Sequence, residues 1–371
     1  MVGQRGIPAA YGGVERHVEE VGSRLAARGH RLTVFGRQGY CATGSPWPGS
    51  HLVRLRNWER PAWGTAAHCL EASLRCLADP PDLIHFHATG PGACAWLTRM
   101  GSIPSVVTFH GRDWRRRRWG RAARAILRTC EKLAIRGAGG LMAVSPCLAR
   151  DLSSRWRVGV RFVPNGVTLG PAPAPPPAAE PPRVLFLGRL VEEKGVDLLL
   201  RAFRSVDTRA RLWVAGPQDG ADPHADRLRE LGALDPRVEF LGALGARERD
   251  RRLEECSLLV LPSEMEGMSL AVAEAMAAGR AVLASDIEEN RWMLNGGGPG
   301  PEAGFLFRSG DAEDLAGQLR KLLPDASLLR ERGLAARRRA RELLDWERTV
   351  DAIEEVYAEA ARGSPRRPRQ C

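Results

Sequence analysis

Short apolar runs alternate with amphipathic stretches along most of the 371 residues. Over 12–30, Val14, Val18, Val21 and Leu25 fall at helical spacing and Gly29 closes the stretch. Apolar runs at 31–36, 82–87, 105–110 and 140–145 predict strands, with helices at 66–78, 92–101 and 120–137 between them. The segment 160–167 ends this first half. The pattern then resumes, with strands at 183–188, 210–216, 238–242, 257–263, 281–285 and 304–307. Helices at 196–206, 224–233, 246–254, 269–278 and 311–323 separate them. A last amphipathic helix over 346–361 carries Trp346, Val350, Ile353, Val356 and Tyr357. Strands alternating with helices predict parallel sheets covered on both faces, that is, doubly wound α/β domains.

The proline-rich stretch 170–183, "GPAPAPPPAAEPPR", is unsuited to helix or central strand and reads as a stiff spacer. The expected organisation is a Rossmann-like domain over 1–169, a linker over 170–182 and a second Rossmann-like domain over 183–345. A helix over 346–361, crossing back to the first domain, and a basic tail over 362–371 complete it. Two tandem domains of this kind place a ligand cleft between the carboxyl edges of their sheets. The first strand, in "MVGQRGIP", is only about three residues long, for which a start codon assigned too late is the expected reason.

Charge divides along the chain. Residues 1–170 carry 25 Lys/Arg against 10 Asp/Glu, residues 171–361 carry 26 against 34, and the last ten residues have no acid. The basic half suits an anionic membrane, an acidic substrate or nucleic acid, and general arginine richness explains it as well. Nucleic acid is not expected, because the arginines are spread over helices and form no reader element. The eight cysteines include no Cys-x-x-Cys pair, which predicts reduced thiols in a cytoplasmic protein and gives no metal site. No apolar run is long enough for a membrane span, and the start has no secretory signal pattern.

The segment "PSEMEGMSLAVAEAMAAGRAVLASD" (262–286) places Glu266 and Glu274 eight residues apart. On one helix they would be about 12 Å apart along the axis and about 80° around it. Paired glycosidase carboxylates stand roughly 5 to 9.5 Å apart, so these two read as separate contacts on one long ligand. Ser269 is a good N-cap, and a helix starting there points the amides of Met268, Ser269 and Leu270 at an anion. Sugar and ribose hydroxyls are natural donors to the two carboxylates. A solvated loop and helix face is the alternative, which the apolar residues around Glu274 disfavour. In "LGRLVEEKG", Arg189 and Lys194 follow a strand and suit a diphosphate, or are two solvated cations beside Glu192 and Glu193. In "GQRGIPAAYGG", glycines before a helix let backbone amides approach an anion, although a plain turn has the same composition.

The ordered set "GGVERHVEEV", "HGRDW…RWG", "VPNGV", "LGRLVEEKG" and the two-glutamate block resembles the retaining glycosyltransferases of family 4, of GT-B architecture, over roughly residues 1–360. "IPAAYGG" and "HGRDWRRRRWG" look closest to bacterial surface-polysaccharide enzymes, some of them rhamnosyltransferases. The resemblance implies that Glu274 holds the ribose of a nucleotide sugar and Glu266 the hydroxyls of the transferred sugar. Arg189 and Lys194 would neutralise the diphosphate with amides at Met268, Ser269 and Leu270, and Gly12 and Gly13 would approach it from the first domain. His110 matches a histidine that faces the donor sugar, and Asp113 and Trp114 would line the acceptor side. Retention of configuration and independence from metals or other cofactors are likewise implied. The partners expected are a nucleoside diphosphate sugar and a hydroxyl acceptor, lipid-linked ones included. The "DWRRRRWG" stretch is either a solvated loop or a rest on the inner face of an anionic membrane. The alternatives are a sugar-nucleotide epimerase or phosphorylase on the same architecture, and a basic nucleic-acid-binding protein.

Overall fold

In the computed structural model of the chain, the described residues are 1–9, 12–41, 46–56, 61–116, 119–170, 181–218, 222–295 and 302–363. Most of the expected linker and of the basic tail lies outside them. All strand pairs among them are parallel, as the alternating pattern requires. They belong to two compact units, Met1–Asn165 with the chain from Trp346 onward, and Gly166–Asp345.

The first unit holds strands β1 (Leu32–Arg37), β2 (Ser50–Leu55), β3 (Ile84–His87), β4 (Ser105–Phe109), β5 (Gly140–Ala143) and β6 (Arg161–Phe162). Its helices are α1 (Gly13–Ala27), α2 (Pro61–Ala78), the short α3 (Thr89–Gly92) and α4 (Ala95–Met100), α5 (Arg121–Gly137) and α6 (Pro146–Trp156). The helix expected at 92–101 is thus two short pieces, and β2 and α6 went unpredicted. The expected first strand is reduced to one bridge, Val2 with Phe86. Met1 O accepts from Phe35 N while Val2 exchanges hydrogen bonds with His85 and His87, so two residues join β1 to β3. Strand order reverses at that seam: β1 and β2 lie on one side, β3 to β6 on the other.

The second unit is one six-stranded sheet. Its strands are β7 (Arg183–Leu187), β8 (Arg211–Ala215), β9 (Val238–Gly242), β10 (Leu258–Leu261), β11 (Ala281–Ser285) and β12 (Phe305–Phe307). They run in the order β12-β11-β10-β7-β8-β9. The helices are α7 (Val196–Arg204), α8 (Pro223–Ala233), α9 (Ala246–Glu255), α10 (Leu270–Ala277), α11 (Glu288–Asn295), α12 (Ala312–Leu322) and α13 (Ala326–Leu343). Of these, α11 and α13 went unpredicted. Strand order reverses between β7 and β10, which makes the carboxyl edge of that pair the ligand position of a doubly wound sheet.

The last helix, α14 (Trp346–Arg362), belongs to the first unit. Its Trp346, Val350, Ile353, Val356 and Ala360 are buried with Val21 and Leu25 of α1, Val106 of β4 and Met142 of β5. Gly140 permits the approach: a Cβ there would stand 2.6 Å from Val356 Cγ1 and 3.1 Å from Val106 Cγ2. Among the described residues no helix is long and apolar enough to cross a membrane.

Candidate active site

The second unit's site is built by the turns that follow β7 and β10. Past β7 the chain runs through Arg189 into a single 3-10 turn, Glu192–Lys194, and then Gly195, whose φ of 66° is left-handed. A Cβ on Gly195 would collide with Pro262 O, in the turn after β10. Glu264 N donates to Glu193 O at 3.0 Å, tying the two turns together. Lys194 is thereby held against Glu266, with Nζ 2.5 Å from Oε1. Glu266 is 9% exposed, so the pair is shielded from water and stronger than a surface ion pair.

Beyond Glu266, Ser269 caps α10 by accepting from Val272 N at 3.3 Å, as its sequence position suggests. Met268 and Ser269 are buried, and Leu270 opens the helix. Glu274 lies one turn further on, half-buried, with Oε1 3.0 Å from Arg249 Nη1 of α9. Sequence reasoning missed Arg249, because α9 reads "ARERDRRLEE" and nothing local separates it from the neighbouring arginines. The structure thus brings Lys194 to Glu266 and gives Glu274 a cation of its own. This second unit offers cations, two held carboxylates and a helix N-terminus at one topological switch point.

The first unit's carboxyl edge carries histidines. His110, directly after β4, has Nε2 3.4 Å from Nδ1 of His87 at the end of β3. His17 of α1 packs edge-on to His110, with ring centroids 4.8 Å apart, and its Nδ1 is 2.7 Å from Asn165 Oδ1. His85 stacks on His87 at 4.0 Å and bonds Tyr357 Oη and Thr108 Oγ1, each at 2.7 Å. Burial pushes the pKa of His17 down to about 4 and those of His85, His87 and His110 well below the usual imidazole value. The four rings are therefore neutral at pH 7. Only His110 was expected here; the period-2 placement of His85 and His87 in "DLIHFH" and the His17 of "GGVERHV" were the available signals.

Gly12 and Gly13 start α1 on the same unit, exposed, with Gly12 at φ 111°. Glu15 turns back over Gly12 and accepts from Arg5 N at 3.0 Å, so a first-turn carboxylate already attends that helix end. Asp113 Oδ2 accepts from Thr89 N at 3.3 Å. Trp114 is not an open aromatic wall. Its Nε1 donates to buried Glu131 at 3.1 Å, and the guanidiniums of Arg115, Arg128 and Arg155 lie 5.2, 4.5 and 5.0 Å from its ring centre.

Two doubly wound units, each with its chemistry at the carboxyl edge of its switch point, define a GT-B-type protein. The model described as "Glycosyltransferase Family 4" matches residues 11–170, and that described as "Glycosyl transferases group 1" matches residues 181–325. The chain belongs to this family of glycosyltransferases. It is 29% identical over 379 residues to the phosphatidyl-myo-inositol mannosyltransferase of Mycobacterium leprae, covering 94% of each chain. Sucrose-phosphate synthase from Thermosynechococcus elongatus superposes with a TM-score of 0.82 at 24% identity, over 95% of this chain and 94% of that one. Anabaena Alr3699/HepE, in complex with UDP and glucose, does so at 0.75 and 16%, over 95% and 98%.

Proposed function

We propose that this glycosyltransferase moves a sugar from a nucleoside diphosphate donor to an acceptor hydroxyl with retention of anomeric configuration. The observation that carries the reading is the Lys194–Glu266 pair at the β7/β10 switch point, beside the capped start of α10. In the reaction the bond from the anomeric carbon to the diphosphate oxygen breaks and its electron pair stays with the diphosphate. The acceptor oxygen bonds the anomeric carbon and its proton passes to the departing diphosphate. Negative charge grows on the leaving diphosphate, where Arg189, Lys194 and the amides at Met268, Ser269 and Leu270 oppose it. Glu266 takes hydroxyls of the sugar and Glu274 those of the ribose. His110, Gly12 and Gly13 of the first unit serve the same reaction, His110 as a neutral imidazole.

Retention rests on the family resemblance; with Glu266 tied up by a lysine it acts as a hydroxyl acceptor and not as a covalent nucleophile, so retention requires the acceptor to enter on the face the diphosphate leaves. Arg189 and Lys194 take the charge-neutralising role a metal would otherwise have, so no metal is expected in the reaction. Anabaena Alr3699/HepE, solved with UDP and glucose, supports a donor of this class. The mannosyltransferase relative, named for phosphatidyl-myo-inositol, supports a lipid-linked acceptor.

On the first unit α5 presents Arg121, Arg124, Arg128, Lys132 and Arg136 outward at three- and four-residue spacing, while its one acid, Glu131, is buried. Exposed Leu70 and Leu74 of α2, Trp96 and Met100 of α4 and Ile126 of α5 lie on adjoining helices. Cations interleaved with apolar side chains suit the inner face of an anionic membrane, where such an acceptor would be met.

Transfer is measured with UDP-, GDP- and ADP-sugars in chelator. Lys194→Ala and Glu266→Ala are expected to abolish turnover while each keeps a cooperative melt. Wild-type rates in both would overturn the site, and an inverted product anomer would overturn retention.

A further inference from the structure

The histidines at the first unit's carboxyl edge have a chemistry that sugar transfer does not use. His17, His87 and His110 each offer one ring nitrogen, and these three atoms lie within 4.8 Å of one another. Two imidazoles on one tetrahedral zinc, with Zn–N of about 2.05 Å, hold their nitrogens about 3.4 Å apart. His110 Nε2 and His87 Nδ1 already stand at 3.4 Å. His17 has at most the remaining distance to close, from 4.8 Å to about 3.4 Å.

The surroundings select which nitrogen is available. Asn165 Oδ1 accepts from His17 Nδ1, so the lone pair sits on Nε2. That Nε2 is buried and has no hydrogen-bond partner among the described residues. A carbonyl oxygen fixing one imidazole nitrogen while the other is left for an ion is the arrangement that orients metal-bound histidines. His85 stands apart: Tyr357 and Thr108 occupy both of its nitrogens, and it backs the ring of His87. A buried polar atom without a partner is costly, and an ion removes that cost.

We propose that His17, His87 and His110 form a site for a divalent transition metal of the zinc or copper type. With three protein ligands, the fourth position of a tetrahedral ion is left to water. Three neutral imidazoles without a carboxylate suit such borderline ions and suit magnesium or calcium poorly. The ion is not a cofactor of transfer. It takes the nitrogen of His110 and so inhibits; that consequence rests on the functional reading above, whereas the binding does not.

The test uses the full chain without a histidine tag, thiols blocked, stripped with chelator and titrated with Co²⁺. One ion per chain is expected, with the intense visible absorption of tetrahedral cobalt bound by nitrogen. Zn²⁺ should displace it and raise the melting temperature. His17→Ala and His110→Ala should each weaken uptake at least tenfold. Asn165→Ala, which removes no ligand, should weaken it roughly 10- to 100-fold. Absence of stoichiometric uptake, a weak octahedral spectrum, or uptake unchanged in the three variants overturns the site. Because binding is read without substrate, a protein that transfers sugar but takes up no cobalt loses only this proposal. One that binds cobalt but transfers nothing loses only the functional reading.

Discussion

Single side chains set both the reactivity and the acid limit of the protein. Arg249 holds Glu274 through a charge-assisted hydrogen bond, which fixes the carboxylate proposed to bind ribose. Arg249→Ala is expected to raise the KM for donor roughly tenfold, the equivalent of one charged hydrogen bond, with kcat little changed. Steady-state kinetics check this, and an unchanged KM would make the pair incidental. His68 of α2 is 1% exposed, and burial, with Arg37 adding to it, pushes its pKa down to about 4. The unfolded chain binds that proton below the ordinary value of about 6.5, and the folded chain only near 4. Stability conferred by neutral His68 is therefore complete above about pH 6.5 and is lost as the pH falls towards 4, by at most about 2 kcal/mol at pH 5. His68→Leu should flatten that share of the pH dependence in denaturant melts at pH 7 and pH 5. Of these residues, Lys194, Glu266 and Glu274 were legible because each stands in a short strand-turn-helix motif. Arg249 and Asn165 were not, because their partners are 25 and 148 residues away in the chain.

At the level of elements, the turn after β7 matters most. Gly195 adopts a left-handed φ beside Pro262 O, and this places Lys194. Gly195→Ala should cost about 1–2 kcal/mol in backbone strain alone, more with the collision, and should lower activity together with melting temperature. An alanine variant with wild-type stability and rate would show that the turn is not what positions Lys194. Helices with large apolar residues at helical spacing, such as α1, α7 and α14, could be read directly from the pattern. The longest miss, α13, buries Leu329 and otherwise small residues, Gly333, Ala335, Ala336 and Ala340, so its inner face carries little apolar signal. Close approach makes up for it, since Gly333 lies against Gly279 O after α10. In α11 the buried set includes Glu289 and Asn290, polar residues that a hydrophobic pattern scores as surface. The short β2, "SHLVRL", alternates too weakly to stand out.

Over the whole molecule, the uneven charge becomes a spatial feature in the stripe along α5. Binding to vesicles of anionic phospholipid is expected to exceed binding to zwitterionic ones and to weaken as salt rises towards 0.5 M, because exposed charges are screened over about 10 Å at 0.1 M. Charge reversal at Arg121, Arg124 and Lys132 should remove that preference while leaving transfer to a soluble acceptor intact. Equal binding to both vesicle types would remove the membrane reading. The doubly wound architecture was legible as alternation, since parallel strands buried on both faces write continuous apolar runs. The meeting of side chains from distant strand ends had no local trace.

The return of α14 to the first unit has a consequence for how the protein is made. The ribosome must synthesise all of Gly166–Asp345 before it reaches Trp346, Val350 and Ile353, which close the core opened by Val21 and Leu25. The second unit thus has its whole sequence in hand first, reversing the usual amino-terminal-first order of maturation. Until α14 arrives, the flank of β4 and β5 waits uncovered, so the nascent first half carries exposed apolar surface until synthesis is nearly complete.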